Sequence, residues 1–187
     1  MTFSLGLVEP GVAGPFGLAM GMKLSEFKGL EARKERGTYV TKEVPKPHSA
    51  FVSYVLMFGP KTGLCKIIAF GEVVETSVYG MELRMAFDRL EERLKAQYGK
   101  HEKFDHLRAG SIWNEPKDFM MSLLKQERFL ASYWSAKSGS MLKDSLPGIM
   151  LKTDVLTTEK ALLSVSYDFQ NFQECVKELE AAEDDAL

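Results

Sequence analysis

The clearest pattern of hydrophobic and polar positions along the chain lies at residues 51–70. Two runs rich in β-branched and aromatic residues flank a turn segment with two glycines and a proline, which is typical of an antiparallel β-hairpin. In the first run, alternation places Tyr54 and Phe58 on one face and Val55 and Met57 on the other. Both faces are substantially apolar. We therefore expect a strand covered twice, with the second cover supplied by loops of the same chain, a second copy or a foreign protein.

A long helix is predicted at residues 80–98, because apolar side chains recur there at every third or fourth position. The stripe consists of Leu83, Phe87, Leu90, Leu94 and Tyr98. It is too short for a coiled-coil seam, so we expect this helix to pack on a sheet. Gly99 is suited to end it.

Shorter patterns predict the other elements of the first half. A strand is expected at 2–8, a short helix at 24–36, a strand at 38–41, and an extended loop at 44–48, where prolines disfavour helix.

The polar residues 100–112 predict a loop between the two halves. The elements expected in the second half are a helix at 114–124 with Asn114 as its N-cap, a strand at 128–136, a hairpin of 148–156 with 161–169, and a terminal helix from Asn171.

The order of predicted elements is the same in both halves of the chain. Tyr39 corresponds in this order to Tyr133, and Pro45 or Pro47 to Pro147. We predict an α+β fold in one domain, 1–187, with a largely antiparallel sheet built from two similar helix–strand–hairpin units, at about 15–75 and 110–170. The helix at 80–98 would join the units, and the helices would lie mainly on one face. Two unrelated α+β units remain an alternative to duplication.

Charge and hydropathy narrow the class of partner. The chain holds 24 Lys and Arg residues against 26 Asp and Glu, so no positive field attracts nucleic acid or an anionic membrane. Residues 1–22 lack a basic start, and glycines and prolines interrupt their apolar runs, which argues against a signal peptide and a membrane span. We expect a cytoplasmic protein that binds neither nucleic acid nor membrane.

The two cysteines, Cys65 and Cys175, lie far apart and lack the spacing of a zinc site. For a protein of the cytoplasm we expect two reduced thiols, and a long-range disulfide is the alternative.

Candidate chemistry is sparse. His101, Asp105 and His106 form a local cluster of metal-type ligands, but the histidines are five residues apart, whereas a helical zinc pair needs a spacing of four. Asp168 lacks an identifiable acid–base partner. We therefore predict no catalytic residue, no metal and no cofactor.

An exposed sheet face that carries aromatic side chains is the expected binding surface. The residues nominated for this partner-binding surface are Tyr54, Phe58, Trp113, Tyr133 and Trp134.

Two fragments carry a family resemblance. They are Gly21-Met22-x-x-Ser25-Glu26-Phe27, which is expected to open a short helix, and Gly63-Leu64-x-x-Ile67, which follows the hairpin turn. Together they resemble the helix-then-strands repeat of the β-lactamase-inhibitor-protein-like and BamE-like domains. The resemblance implies a non-enzymatic binding module whose sheet and loops contact another protein.

Our first hypothesis is a non-enzymatic protein–protein interaction module, such as an adaptor, an inhibitor or an immunity-type protein. Its partner would be another protein, with a homodimer left open. The alternative is a small-molecule-binding protein or enzyme with a pocket between the halves.

Overall fold

The apolar runs of the sequence form one antiparallel sheet of nine strands in the computed structural model, which describes residues 14–184. The main path across the sheet runs β1-β2-β3-β4-β9-β8-β7-β6, with β5 beside β9. In chain order the strands are β1 (Glu31–Ala32), β2 (Thr38–Thr41), β3 (Ser53–Gly59), β4 (Gly63–Phe70), β5 (Val74–Glu75), β6 (Glu102–Leu107), β7 (Arg128–Ser135), β8 (Gly148–Thr157) and β9 (Lys160–Asp168).

Three α-helices complete the described part of the chain, and they are α1 (Met81–Tyr98), α2 (Phe119–Leu124) and α3 (Phe172–Asp184). The predicted α+β class with a largely antiparallel sheet is confirmed. Both predicted hairpins form, as β3 with β4 and as β8 with β9. The strand predicted at 2–8 lies outside the described residues.

The core lies on the face of the sheet that α1 covers. Cross-strand pairing aligns one row of buried side chains through the middle of the sheet, which consists of Leu56, Ile67, Tyr167, Ile149 and Trp134. All five members of the predicted α1 stripe are buried, as expected for a helix packed on a sheet. Successive residues of a strand point to opposite faces of the sheet. The strand residues next to those of the buried row therefore point away from α1.

The loop predicted at 100–112 is wrong, because residues 102–107 form the strand β6, which pairs with β7. The physical reason is the position of β6 at the edge of the sheet. Its side chains are mostly exposed on both sides, so its sequence lacks the apolar alternation that identifies a strand. Pairing with β7 imposes the extended conformation.

The helix predicted at 24–36 is also wrong. Only a 3₁₀ turn, Leu24–Glu26, forms there, and β1 follows it. Gly29 adopts a φ of +69°, which interrupts a right-handed helix, and Glu31 then pairs with Val40. At the second predicted helix start, Glu115 rather than Asn114 is the N-cap of a 3₁₀ turn that leads into α2.

The prediction of two reduced cysteines is wrong as well, since Cys65 and Cys175 form a disulfide across 110 residues. Cys65 is an extra residue in β4, because Phe58 pairs with Leu64 and Met57 with Lys66. Since α3 contacts β3 and β4, Cys175 is held beside this bulge. Sequence spacing carries no signal for such a contact.

In the middle of the sheet β4 pairs with β9. The strands β3 and β2 follow on the β4 side, and the strands β8 and β7 follow on the β9 side. Internal duplication and the location of the helices mainly on one face stay predictions.

Candidate functional site

The sheet face opposite the core carries a mixture of apolar and polar side chains, and we call it the open face. It is defined by three cross-strand rows: Val40, Val55, Ile68, Ser166, Met150 and Tyr133; Phe70, Ser164, Lys152, Ala131 and Phe104; and Met57, Lys66, Asp168 and Gly148. Val55, Ile68 and Met150 are only half-buried, in contrast to the fully buried core row. The open face therefore presents apolar surface that the described chain does not fully cover.

A groove of about 380 Å³ lies on this face, over β3 and β4. The first residue of α3, Phe172, forms one wall, and the segment that joins β1 to β2 contributes Arg33 and Glu35. Its remaining lining is mainly apolar and consists of Val55, Met57, Ile68 and Phe70 with Thr38 and Lys66.

The charged groups at the groove are already paired. The Lys66 ammonium lies 2.9 Å from Asp168 Oδ1 and 4.6 Å from the centre of the Phe172 ring. At the rim, Arg33 Nε lies 4.0 Å from Glu35 Oε2. Two cations and two carboxylates therefore balance, so the groove favours an apolar segment over a strongly charged one.

The other end of the open face is aromatic. Phe104 on β6 is 43% exposed, Phe129 on β7 is 50% exposed and Tyr133 on β7 is 39% exposed. Phe104 pairs with Ala131, which lies between Phe129 and Tyr133 on the neighbouring strand. Three exposed aromatic side chains therefore project from neighbouring positions of β6 and β7, and the Tyr133 hydroxyl reaches over Gly148 of β8.

A polar trio lies between the groove and the aromatic edge. The Asp154 carboxylate accepts hydrogen bonds from the Lys152 ammonium and from the buried Ser164 hydroxyl. Because this hydroxyl donates to a carboxylate that an ammonium already neutralises, no free base is aligned to activate it as a nucleophile. The trio satisfies polar groups between β8 and β9.

A second polar cluster, on the core side, surrounds the buried carboxylate of Glu91 on α1. Oε1 accepts from the Ser132 hydroxyl and lies 3.1 Å from His101 Nε2, and Oε2 accepts from Lys103 Nζ at 2.8 Å. Ser132 donates to Glu91 rather than to His101, so the three side chains are not arranged as a nucleophile and its base. The cluster joins α1 to β6 and β7.

Lys103 and His101 are held by further contacts in this cluster. Burial lowers the pKa of Lys103, but hydrogen bonds to Asp88 and Glu91 outweigh it, and the net pKa lies above its usual value. The His101 ring stacks on Trp134 at 4.7 Å. These contacts indicate a structural role.

The residues nominated from sequence divide into two groups. Tyr54, Phe58 and Trp134 are 1%, 4% and 0% exposed, so the structure corrects their placement from a binding surface to the core. The reason is that each points from its strand toward the core face. Tyr133 lies on the open face, and Trp113 is half-buried in the connection between β6 and α2. Partner contact by these two side chains stays a prediction.

Sequence reasoning missed several side chains of the open face. Ile68 and Phe70 alternate with the buried Ile67 and Ala69 along β4, and this alternation was the available signal. Phe172 carried no signal, because its place beside Lys66 depends on how α3 docks.

The strand geometry separates the local group of metal-type ligands, His101, Asp105 and His106, for which no metal was predicted. His101 contacts Glu91, whereas His106 is opposite Phe129 on the β6–β7 ladder. Between residues 14 and 184, no group of three or more His, Cys, Asp or Glu side chains is arranged to hold a metal ion.

The two fragments that carry the family resemblance lie side by side. The Gly21 N–H donates to the Leu64 carbonyl at 2.9 Å, and the Leu64 N–H donates to the Met22 carbonyl at 2.8 Å. The expected helix is only the 3₁₀ turn at Leu24–Glu26.

Comparison of the chain with protein families, with curated proteins and with solved structures finds no match. None of the helices described between residues 14 and 184 combines the length and apolar character needed to cross a membrane.

Proposed function

We propose that this protein is a non-enzymatic protein-binding module whose open face contacts a foreign partner protein. The observation that carries the proposal is the groove of about 380 Å³ over β3 and β4, where half-buried apolar side chains lie on the opposite side of the sheet from the core that α1 covers. Along one strand, alternate residues point into the core and onto the open face, and both sets include apolar side chains. This pattern is typical of a sheet whose second face packs against another protein or another layer.

The groove chemistry defines the expected partner segment. Val55, Ile68 and Phe70 offer apolar contact, and the Phe172 ring supplies an aromatic wall. The nearby charges are internally paired, so we propose a partner segment that inserts aliphatic or aromatic side chains and carries few charges. Such buried apolar anchors provide most of the affinity at protein interfaces.

A matched pair of variants tests this proposal. Ile68→Asp places a carboxylate in the groove, whereas Met85→Asp makes a comparable apolar-to-acidic change at a side chain of α1 that is 56% exposed. Tagged wild-type and variant proteins are used to capture partners from native lysate, with thermal unfolding as a folding control.

We expect one stoichiometric partner that the wild type and Met85→Asp retain and Ile68→Asp loses, with similar thermal midpoints for all three. Equal capture by Ile68→Asp, or capture by no form of the protein, would refute the proposal.

The alternative of a ligand pocket between the halves has weaker support. A cavity of about 230 Å³ beneath α1 is lined by aromatic side chains that include Phe16, Phe51, Tyr98 and Tyr167. Ligand pockets commonly hold roughly 300–1,000 Å³. The cavity is therefore small for a drug-sized ligand.

The disulfide bears on the compartment in which the module works. Disulfides persist in oxidising compartments and are rare in the reducing cytoplasm. The Cys65–Cys175 bond therefore weighs against the predicted cytoplasmic location, which stays a prediction. Labelling of free thiols in the protein from its native cell would decide between an oxidising compartment, where Cys65 and Cys175 stay unlabelled, and the reducing cytoplasm, where both are labelled.

A further inference from the structure

The strand β6 ends the sheet with an edge that no other described strand occupies. Within residues 14–184, β6 pairs with β7 alone. It is six residues long, and five of those residues are exposed. An extended strand with one free edge offers unpaired backbone donors and acceptors to another strand.

The direction of these backbone groups follows from the β6–β7 ladder. The Arg108 N–H donates to the Glu127 carbonyl at 2.7 Å, in the register that continues the pairing of Leu107 with Arg128. Since hydrogen-bonded residues alternate along an antiparallel strand, 102, 104 and 106 bond toward β7. The N–H and carbonyl groups of Lys103, Asp105 and Leu107 therefore point outward from the sheet.

Charge selects one register for pairing with a second copy. A two-fold pairing centred on Lys103 sets two ammonium groups opposite each other, and one centred on Asp105 sets two carboxylates opposite each other. A pairing centred on Phe104 instead places Lys103 opposite Asp105 of the second copy, twice by symmetry, and Glu102 opposite His106. Within its own chain the Lys103 ammonium already contacts Asp88 and Glu91 at 2.8 Å, and the Asp105 carboxylate contacts Arg128 at 2.6 Å. Both side chains stay more than a third exposed, so the facing pair would add to these contacts rather than replace them. Opposite charges in facing positions stabilise a ladder, and like charges destabilise it.

The aromatic rings support the same register. Phe104 lies on the open face, 43% exposed, beside Phe129 and Tyr133 of β7. A two-fold axis at Phe104 would bring the two Phe104 rings together. Close aromatic pairs of this kind favour association beyond the area that they bury.

We propose that this chain forms a two-fold dimer by antiparallel pairing of β6 with β6 of a second copy, with Phe104 at the axis and Lys103 opposite Asp105. The pairing joins two nine-stranded sheets into one sheet. It is independent of the groove over β3 and β4, because β6 and β3 lie at different places in the strand order.

Sedimentation equilibrium of the purified full chain tests the charge pairing. The wild type is expected at twice the chain mass of 21.0 kDa. Asp105→Lys opposes Lys103 with a like charge and also loses the ion pair of 2.6 Å to Arg128 within its own chain, and it is expected to weaken the dimer by about tenfold or more. The matched control Glu92→Lys makes the same charge change on α1 and also loses an ion pair, at 3.0 Å to Lys95, so it should remain dimeric.

A cysteine scan fixes the register without disturbing the charged residues. In the proposed pairing the two copies of residue 104 face each other about 4.5 Å apart at Cα, within disulfide range, whereas the copies of residue 106 are offset by about 13 Å. Both native cysteines are already bonded to each other. Mild oxidation should therefore link Phe104→Cys into a covalent dimer and leave His106→Cys monomeric on non-reducing gels.

A monomeric wild type at tens of micromolar, a dimer insensitive to Asp105→Lys, or equal cross-linking at positions 104 and 106 would each overturn the proposal.

Discussion

Cys175 in the first turn of α3 is joined by a disulfide to Cys65, the bulge residue of β4. Both side chains are fully buried. The bond therefore joins α3 to the hairpin of β3 and β4. The first residue of α3, Phe172, forms one wall of the neighbouring groove.

Removal of this disulfide should destabilise the fold. The bond closes a loop across a sequence separation of 110 residues, and loss of such a cross-link typically costs about 2–5 kcal/mol of unfolding free energy. The double variant Cys65→Ser/Cys175→Ser is expected to unfold at lower urea concentration. Wild-type protein treated with a reducing agent is the control and should shift in the same direction. Identical urea midpoints for the oxidised wild type and the double variant would contradict the disulfide.

The Glu82 carboxylate should make stability depend on acid pH. Its Oε2 accepts hydrogen bonds from the Ser77 N–H at 2.9 Å and the Thr76 hydroxyl at 2.8 Å. The hydrogen bond from the Ser77 backbone is the largest cause that lowers the pKa of Glu82 from 4.5 to about 2. Since the folded-state pKa is depressed, the stabilisation is present above pH 4.5 and is lost as pH falls toward 2.

Urea unfolding of the wild type and Glu82→Gln across this pH range measures the effect. The difference in unfolding free energy should be largest near neutral pH and disappear near pH 2. The matched control Glu92→Gln makes the same substitution on the exposed surface of α1, at a side chain that pairs with Lys95 at 3.0 Å. A difference between wild type and Glu82→Gln that does not change with pH would contradict the assignment.

Gly63 should tolerate a methyl group less well than Gly29, although both adopt positive φ. A Cβ at Gly63 would lie 2.4 Å from the Gly21 carbonyl oxygen, whereas one at Gly29 would meet nothing within 4 Å. Gly29→Ala should therefore cost only the backbone strain, about 1–2 kcal/mol. Gly63→Ala should cost more, because the backbone at Gly21 must also move. Urea unfolding that gives equal costs for both variants would refute the close approach.

Glu91 should matter far more to stability than its neighbour Glu92. Glu91→Ala leaves the Ser132 hydroxyl, the Lys103 ammonium and His101 without their shared acceptor, and we expect a loss of about 1–3 kcal/mol. Glu92→Ala removes only an exposed ion pair and should cost less than about 1 kcal/mol. Thermal or urea unfolding of both variants makes the comparison, and equal losses would argue against the buried cluster.

Sequence patterns predicted the elements whose apolar spacing is long and regular. The α1 stripe and both hairpins form as expected, because amphipathic periodicity reports directly which face is buried. The edge strand β6 escaped detection because its alternating side chains are almost all exposed. Its strand conformation is set by β7, and that pairing is not encoded in local propensity.

The candidate site was predictable only in part for a related reason. Alternation along β3 separated the core-facing Tyr54 and Phe58 from Val55 and Met57, but the sequence did not reveal which of these two faces α1 covers. The groove also needs Phe172, which comes near Lys66 only when α3 docks on the hairpin. Long-range contacts of this kind lie outside the reach of spacing rules.

The most direct measurement of partner binding by the open face is site-specific photo-cross-linking in the native cell. A photoreactive amino acid is placed at Val55 in the groove in one form of the protein, and at Met85 on α1 in another. The open-face proposal predicts one covalent adduct from position 55, suppressed by excess unmodified protein, and none from position 85. An adduct from position 85 alone, or no adduct from position 55, would contradict it.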